Sequence, residues 1–356
     1  MQPFFTRLGV AALLLAIAAA EQAPGIPTIL VADVGVDDAA ALLWAIASPK
    51  IDVIGIAASF GCHGDSRVTA LNAQRLIAAS NRSDIPVYIG SRYPIGETTP
   101  LPSSGFHGAD GLGDVPWAEG EEEALPGPAD LSAAEFIARS ARVYAGELVL
   151  LSFSPLVDVA LACLLEPELP RYLRRLVAMG GAVYAPGNAM PLAEANFLHD
   201  AAAARLVLAR FATEPPTPSP MVLAPLDVTM RALATAEEIR EIGKLGAGCK
   251  LFERACATYQ RSYCEKQGMC ESIVLHDSHT VAWLLEPSLY SSEEMALTVV
   301  VGGDANGMSY FDRRAGAAEG KPTVTVLLGV DSEGFMRLMM KDLRRLGGNM
   351  TQKDEL

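Results

Sequence analysis

Apolar residues along this chain follow two alternating patterns. Short runs of β-branched and aliphatic residues at 28–32, 53–57 and 86–89 are interleaved with longer stretches of helical spacing that begin at Asp37 and Ser66. Strands that take turns with helices build βαβ units, in which the strands lie parallel under a cover of helices. After a Gly- and Pro-rich stretch at about 91–129 the alternation resumes. It predicts helices at 131–144, 155–164 and 200–211 and strands at 148–151, 175–179 and 221–224. Residues 233–268 read as helical with no strand between, a helical insertion beside the sheet. Strands at 297–301 and 323–328 and a helix at 332–346 complete the pattern. The expected fold class is α/β, one domain over residues 21–352 built on an open, mostly parallel, doubly wound sheet.

The two ends stand outside that pattern. Arg7 precedes an apolar run from Leu8 to Ala20, and Ala18-x-Ala20 forms a small-residue cleavage site. Such a segment is too short to span a bilayer and reads as a signal peptide over residues 1–20. The final Lys353-Asp354-Glu355-Leu356 is the address read by the KDEL retrieval receptor. Together the ends predict a soluble protein of the endoplasmic reticulum lumen, with no membrane span after signal removal.

Charge and cysteines refine this expectation. A net charge of −14 over 356 residues offers nucleic acid no general attraction. Cys249, Cys256, Cys264 and Cys270 crowd one segment, while Cys62 and Cys163 stand alone. An oxidising lumen predicts one or two disulfides in the cluster, with three full pairings open; buried free thiols are the alternative. No Cys-x-x-Cys or Cys/His pair has the spacing of a zinc site. Asn81-Arg82-Ser83 and Asn349-Met350-Thr351 are glycosylation sequons.

The chemistry concentrates where the first strand meets the first helix. Asp33, Asp37 and Asp38 crowd that turn, at the end of the strand where open α/β sheets place their sites. Capping the helix uses one or two of them, since the helix dipole favours negative charge there. A third carboxylate adds repulsion that a cation relieves. Asp37 and Asp38 point about 100° apart on a helix, so each can serve a different partner.

At this point the chain resembles the inosine-uridine-preferring nucleoside hydrolases, whose amino-terminal signature is Asp-x-Asp-Pro-Gly-x-Asp-Asp. Asp33-Val34-Gly35-Val36-Asp37-Asp38 matches its latter part. Four further segments follow in family order: His107-Gly108-Ala109-Asp110-Gly111-Leu112-Gly113; Met179-Gly180-Gly181 leading to Asn188 and Glu194-Ala195-Asn196; Pro225-Leu226-Asp227-Val228-Thr229; and Leu275-His276-Asp277. The resemblance spans about residues 27–330. The chain departs from it with Val31 in place of the first Asp, Val34 in place of Pro, and Cys62 where members often carry Asn.

The resemblance implies hydrolysis of the N-glycosidic bond of ribonucleosides to free base and ribose. It also implies a Ca2+ ion held by Asp33, Asp38, Asp277 and the Val157 carbonyl. An all-oxygen donor set suits a hard, flexible cation independently of the resemblance, with magnesium as the weaker alternative. In the implied mechanism a water held by the ion attacks directly, Asp33 takes its proton, and His276 assists the departing base. Asp37, Asn188, Glu194 and Asn196 bind the sugar, and His107 stands at the mouth of the site. The family also implies a homodimer or homotetramer.

Plainer readings compete at several positions. Asp277 is placed to cap a helix at 278–286, Asn188 is an ordinary turn residue, and Glu194 a solvated side chain. His63, His199 and His279 read as structural, and Asp110 as loop architecture. A second reading of the whole chain is a calcium-dependent nucleoside- or ribose-binding protein that has lost turnover.

Overall fold

A computed structural model of the chain describes residues 25–347, apart from 97–104, 123–124, 126, 214–218, 315 and 318. The expected signal peptide, the KDEL ending and the Asn349 sequon lie outside the described residues. The sheet has eight strands. In chain order these are β1 (Ile26–Ala32), β2 (Ile51–Ala58), β3 (Val87–Ile89), β4 (Val149–Ser152), β5 (Arg175–Met179) and β6 (Met221–Ala224), joined by β9 (Tyr290–Met295) and β12 (Val324–Val330). They lie side by side in the order β3-β2-β1-β4-β5-β6-β12-β9. All pairings are parallel except that of β9 with β12.

Alternation along β1 explains the two-sided core. Leu30 and Ala32 enter one apolar cluster, with Trp44 of the helix Val36–Ala47 and Phe335 of the helix Ser332–Leu343. Ile29 and Val31 enter the other, with Ile137, Val159 and Phe211 from helices on the opposite face. A strand buried on both faces must be apolar at every position, and β1 is apolar from Ile29 onward. Trp44 stabilises its side further, as its indole N–H donates to the buried Asp342 carboxylate at 3.0 Å.

Local signals set several helix starts. Ser132 and Glu135 form a capping box at the start of Ala133–Val143, and Thr235 and Glu238 form another at Ala236–Ile242. Asp200 caps Ala201–Phe211 through the Ala203 N–H, and also accepts from the Ile95 N–H.

Three expectations change. The segment 233–268 is not purely helical: β7 (Leu233–Thr235) pairs antiparallel with β8 (Ser272–Val274), and the helices Ala236–Ile242 and Ala247–Gln267 lie between them. The strand at 297–301 shrinks to β10 (Thr298–Val299), which leaves the main sheet to pair with β11 (Ser309–Tyr310). The antiparallel edge strand β9 was not expected, because Ser291 to Glu294 are exposed and carry no apolar alternation. Exposed polar residues suit an edge, where they oppose pairing with another chain. No helix of the described residues is long and apolar enough to cross a membrane.

Candidate active site

The strand order reverses at β1, which has β2 on one side and β4 on the other. Loops leaving the two sides of such a switch point splay apart and open a crevice at the carboxyl ends of the strands. The cavity found there is lined by Asp33, Asp37, Asp38, His107, Asn188, Glu194, Asn196, His276 and Asp277. These sit on four separate stretches of chain, 33–38, 107, 188–196 and 276–277. Val157 does not line it; it is the buried first residue of the helix Val157–Leu165.

Glycines make the approach of the acidic loops possible. A Cβ on Gly35 would lie 2.4 Å from the Cys62 Sγ and 2.7 Å from the His107 Nδ1. One on Gly61 would fall 1.9 Å from an Asp33 carboxylate oxygen. Any larger residue at either position would force the loops apart. Across this contact the Cys62 backbone N–H donates to Asp33, and Asp38 accepts from the backbone N–H groups of Asp33 and Gly35.

The carboxylates form a buried anionic cluster. Ligand atoms of Asp37, Asp38 and Asp277 lie within 4.8 Å of one another, as do those of Asp33, Asp38 and Cys62. Burial is the main cause that raises the Asp33 carboxyl to about 7, with Asp37 adding to it. Burial, then the neighbouring carboxylates, also push Asp38 and Asp277 well above the ordinary range. Several crowded carboxylates lining a cavity fit a hard divalent cation, which would offset both the repulsion and the lost hydration.

The competing readings separate residue by residue. Asp277 occupies the N-cap position of the helix Ser278–Leu285, yet its side chain makes no cap hydrogen bond. Its carboxylate is turned to the cavity instead. Asp38 does both jobs, since it accepts from the Gly35 N–H at the start of its helix and lines the cavity. Glu194 is not solvated: it is buried, caps the helix Ala195–His199, and accepts from the backbone N–H groups of Gly181, Asn196 and Phe197. Asn188 is exposed on the rim, and its Oδ1 accepts from the Ala195 N–H.

His276 is held from both sides. Its Nδ1 lies 2.7 Å from the Thr229 hydroxyl and its Nε2 lies 2.8 Å from the Tyr263 hydroxyl. Burial lowers its pKa to about 4, so the ring is neutral near pH 7. Tyr263 and Tyr259 lie one turn apart on Ala247–Gln267 and both line the cavity. Neither was singled out in the sequence, where only their i, i+4 spacing on one helix could have marked them. His107 accepts from the Val36 N–H at 3.1 Å, lies 3.6 Å from the Asp37 carboxylate, and has its ring centroid 4.9 Å from that of Tyr259. Burial lowers its pKa.

Other positions read from the sequence sort as follows. His63 accepts from the Asp65 N–H and His279 stacks on Phe335, both structural positions. Asp110 accepts from the Leu112 and Asp114 N–H groups and shapes its loop. His199 differs from its structural reading, because it lines the cavity. Its Nδ1 is buried with no hydrogen-bond partner among the described residues, and burial lowers its pKa to about 4. Val31 is fully buried in the core, so its departure from the signature leaves the cavity lining intact. Among the cysteines, Cys264 pairs with Cys270, while Cys249 and Cys256 are buried free thiols.

Known proteins agree with this arrangement. The family description "Inosine-uridine preferring nucleoside hydrolase" matches residues 28–337. The pyrimidine-specific ribonucleoside hydrolase RihA of Escherichia coli O9:H4 is 33% identical over 326 residues, which is 90% of this chain and 98% of RihA. A purine-preferring ribonucleoside hydrolase from Gardnerella vaginalis superposes with a TM-score of 0.80 at 27% identity, covering 90% of this chain and 99% of the other. A plant nucleoside hydrolase, PpNRh1, has the same TM-score and coverage at 26% identity. The chain belongs to the inosine-uridine preferring nucleoside hydrolase family and is an N-ribohydrolase acting on nucleosides.

Proposed function

We propose that the chain hydrolyses ribonucleosides in a calcium-dependent reaction and prefers pyrimidine bases. The observation that carries the calcium reading is the convergence of Asp33, Asp37, Asp38 and Asp277 on one cavity. Asp33, Asp38 and Asp277 would hold the ion, with the Val157 carbonyl as the fourth donor that family resemblance adds. A bound calcium ion supplies a positive centre that orients the ribose hydroxyls and acidifies water.

The chain's own groups do the rest. Asp33, a carboxylate of the cluster that lines the cavity, takes the proton of the attacking water. Asp37 and Asn196, which line the same cavity, and Asn188 on its rim hydrogen-bond the sugar. Glu194 contributes less as a direct ligand than by position, since three backbone donors occupy its carboxylate. The anionic cluster favours the oxocarbenium character that the sugar develops as the base departs. His107 lines the cavity beside Tyr259.

The leaving base is served by Tyr263 and His276. Burial keeps the His276 imidazole neutral and pushes the Tyr263 hydroxyl well above its ordinary value, so the pair serves the leaving base by hydrogen bonding and not as a strong acid, which suits a pyrimidine carbonyl oxygen. The identity to a pyrimidine-specific relative supports the same preference. The test is release of reducing sugar from a panel of purine and pyrimidine ribonucleosides, with calcium added and then chelated. Calcium-dependent release that is faster for uridine and cytidine is the expected result. Calcium-dependent binding of nucleosides without release would instead favour the binding-protein reading.

We also propose residence in the endoplasmic reticulum lumen. The terminal signals, the Cys264–Cys270 disulfide and the exposed Asn81 of the first sequon support it. Glycan at Asn81 that is sensitive to endoglycosidase H is the expected result, and a cytosolic, unglycosylated protein would refute it.

A further inference from the structure

The sequence offers no zinc spacing, yet the fold sets a thiol among the carboxylates. The Cys62 Sγ lies 3.6 Å from the Asp38 Oδ2, and ligand atoms of Asp33, Asp38 and Cys62 fall within 4.8 Å of one another. A tetrahedral ion with sulfur at about 2.3 Å and oxygen at about 2.0 Å holds those two ligands about 3.5 Å apart. The Cys62–Asp38 separation is therefore already that of an edge of such a site. Asp277 adds a buried carboxylate that makes no side-chain hydrogen bond among the described residues and is turned to the same cavity.

We propose that Cys62 makes the acidic cluster a binding site for a thiophilic divalent cation of the zinc and cadmium class, which competes there with the hard cation. The inference rests on the reading that these carboxylates hold a cation at all. Calcium takes oxygen donors and gains little from sulfur, whereas zinc and cadmium gain a thiolate bond. As the sulfur–ion bond forms, the thiol proton passes to solvent and the Cys62–Asp38 hydrogen bond is replaced by two bonds to the ion. The usual hard-ion site of oxygen donors thus acquires a second, softer specificity, and micromolar zinc becomes an inhibitor of turnover.

Cadmium is the probe, because a cadmium–thiolate bond has a charge-transfer absorption in the ultraviolet. The mature chain is titrated with cadmium and, separately, with calcium by calorimetry, alongside Cys62→Ser and Cys62→Asn. Thermal unfolding checks that each variant is folded, and the serine variant, a one-atom change, carries the comparison if the asparagine variant is not. The expected result is a band that saturates at one ion per chain, is displaced by calcium, and disappears in both variants. Cadmium affinity should fall at least tenfold in the variants, and calcium affinity much less. If calcium binds but the band is absent, or survives in the variants through Cys163, Cys249 or Cys256, the inference is wrong and the calcium reading stands. If neither ion binds the wild-type chain, both readings fall.

Discussion

The Nε2 of His276 and the hydroxyl of Tyr263 stand 2.8 Å apart, so the two side chains form one hydrogen-bonded pair in the cavity wall. A neutral ring has one donor and one acceptor nitrogen. If Nε2 carries the hydrogen, Thr229 donates to Nδ1, His276 donates to Tyr263, and the tyrosine proton can turn to the leaving base or to the Tyr259 hydroxyl 3.4 Å away.

Tyr263→Phe removes the last member of that chain. The expected loss is about a hundredfold in kcat/KM for uridine, a magnitude ordinary for a positioned proton donor. A riboside with an activated phenolate leaving group needs no proton and should lose far less. His276→Ala should show the same pattern, and the double variant should lose little more than either single one. Equal losses on both substrates would assign the pair a packing role.

Asp33→Asn keeps the shape of the side chain and removes the base. A fall in kcat of at least about a thousandfold is expected even at calcium concentrations that saturate the weakened site. Unchanged kcat would place the base elsewhere.

Asp277 sits at a helix N-cap but makes no cap hydrogen bond. Losing a working cap costs about 1 kcal/mol, so Asp277→Asn is expected to leave calcium-free stability unchanged or raised. Its calcium affinity should fall at least tenfold. Calorimetry and chemical denaturation measure the two effects separately.

Burial holds the pKa of His199 at about 4, against an ordinary value of 6.5. Between those values the unfolded chain binds a proton that the folded chain refuses. Folding stability is therefore lost as pH falls from about 6.5 to about 4. The expected contribution is about 2 kcal/mol, less than the full shift implies because the ring partly faces the cavity. His199→Asn should flatten this part of the stability–pH curve, read by denaturant midpoints at several pH values. Because the neutral ring lines the cavity, the variant should also raise KM for nucleosides more than it lowers kcat.

The Cys264–Cys270 disulfide closes the end of the helix that carries Tyr259 and Tyr263. Reduction should loosen that wall and raise KM more than it lowers kcat. Steady-state kinetics before and after mild reduction would show it, and identical constants would mean that the helix is held by its packing alone.

Much of this molecule was legible in one dimension. The alternation of apolar runs placed β1, β2, β4, β5 and β6 and the helices that follow them, because a strand buried on both faces and an amphipathic helix each need their own period. The acidic turn Asp33–Asp38 was legible for a related reason, since three carboxylates exceed what a helix cap uses. The edge strand β9 was not, because an edge is polar and has no period of its own. Asp277 was ambiguous for a different reason: capping and cation binding ask for the same side chain at the same helix position, and only its orientation separates them.

Tertiary structure alone decided which distant residues meet. His276, Thr229 and Tyr263 come from three elements and form one hydrogen-bonded chain, which no spacing along the sequence encodes. The same holds for Cys62, which no neighbour in sequence marks as a ligand and which the parallel pairing of β2 with β1 carries to Asp38. His199 reached the cavity in the same way. Sequence determines periodicity and local chemistry because both act within a few residues. A site assembled from the ends of several strands is decided by which strands the sheet makes neighbours.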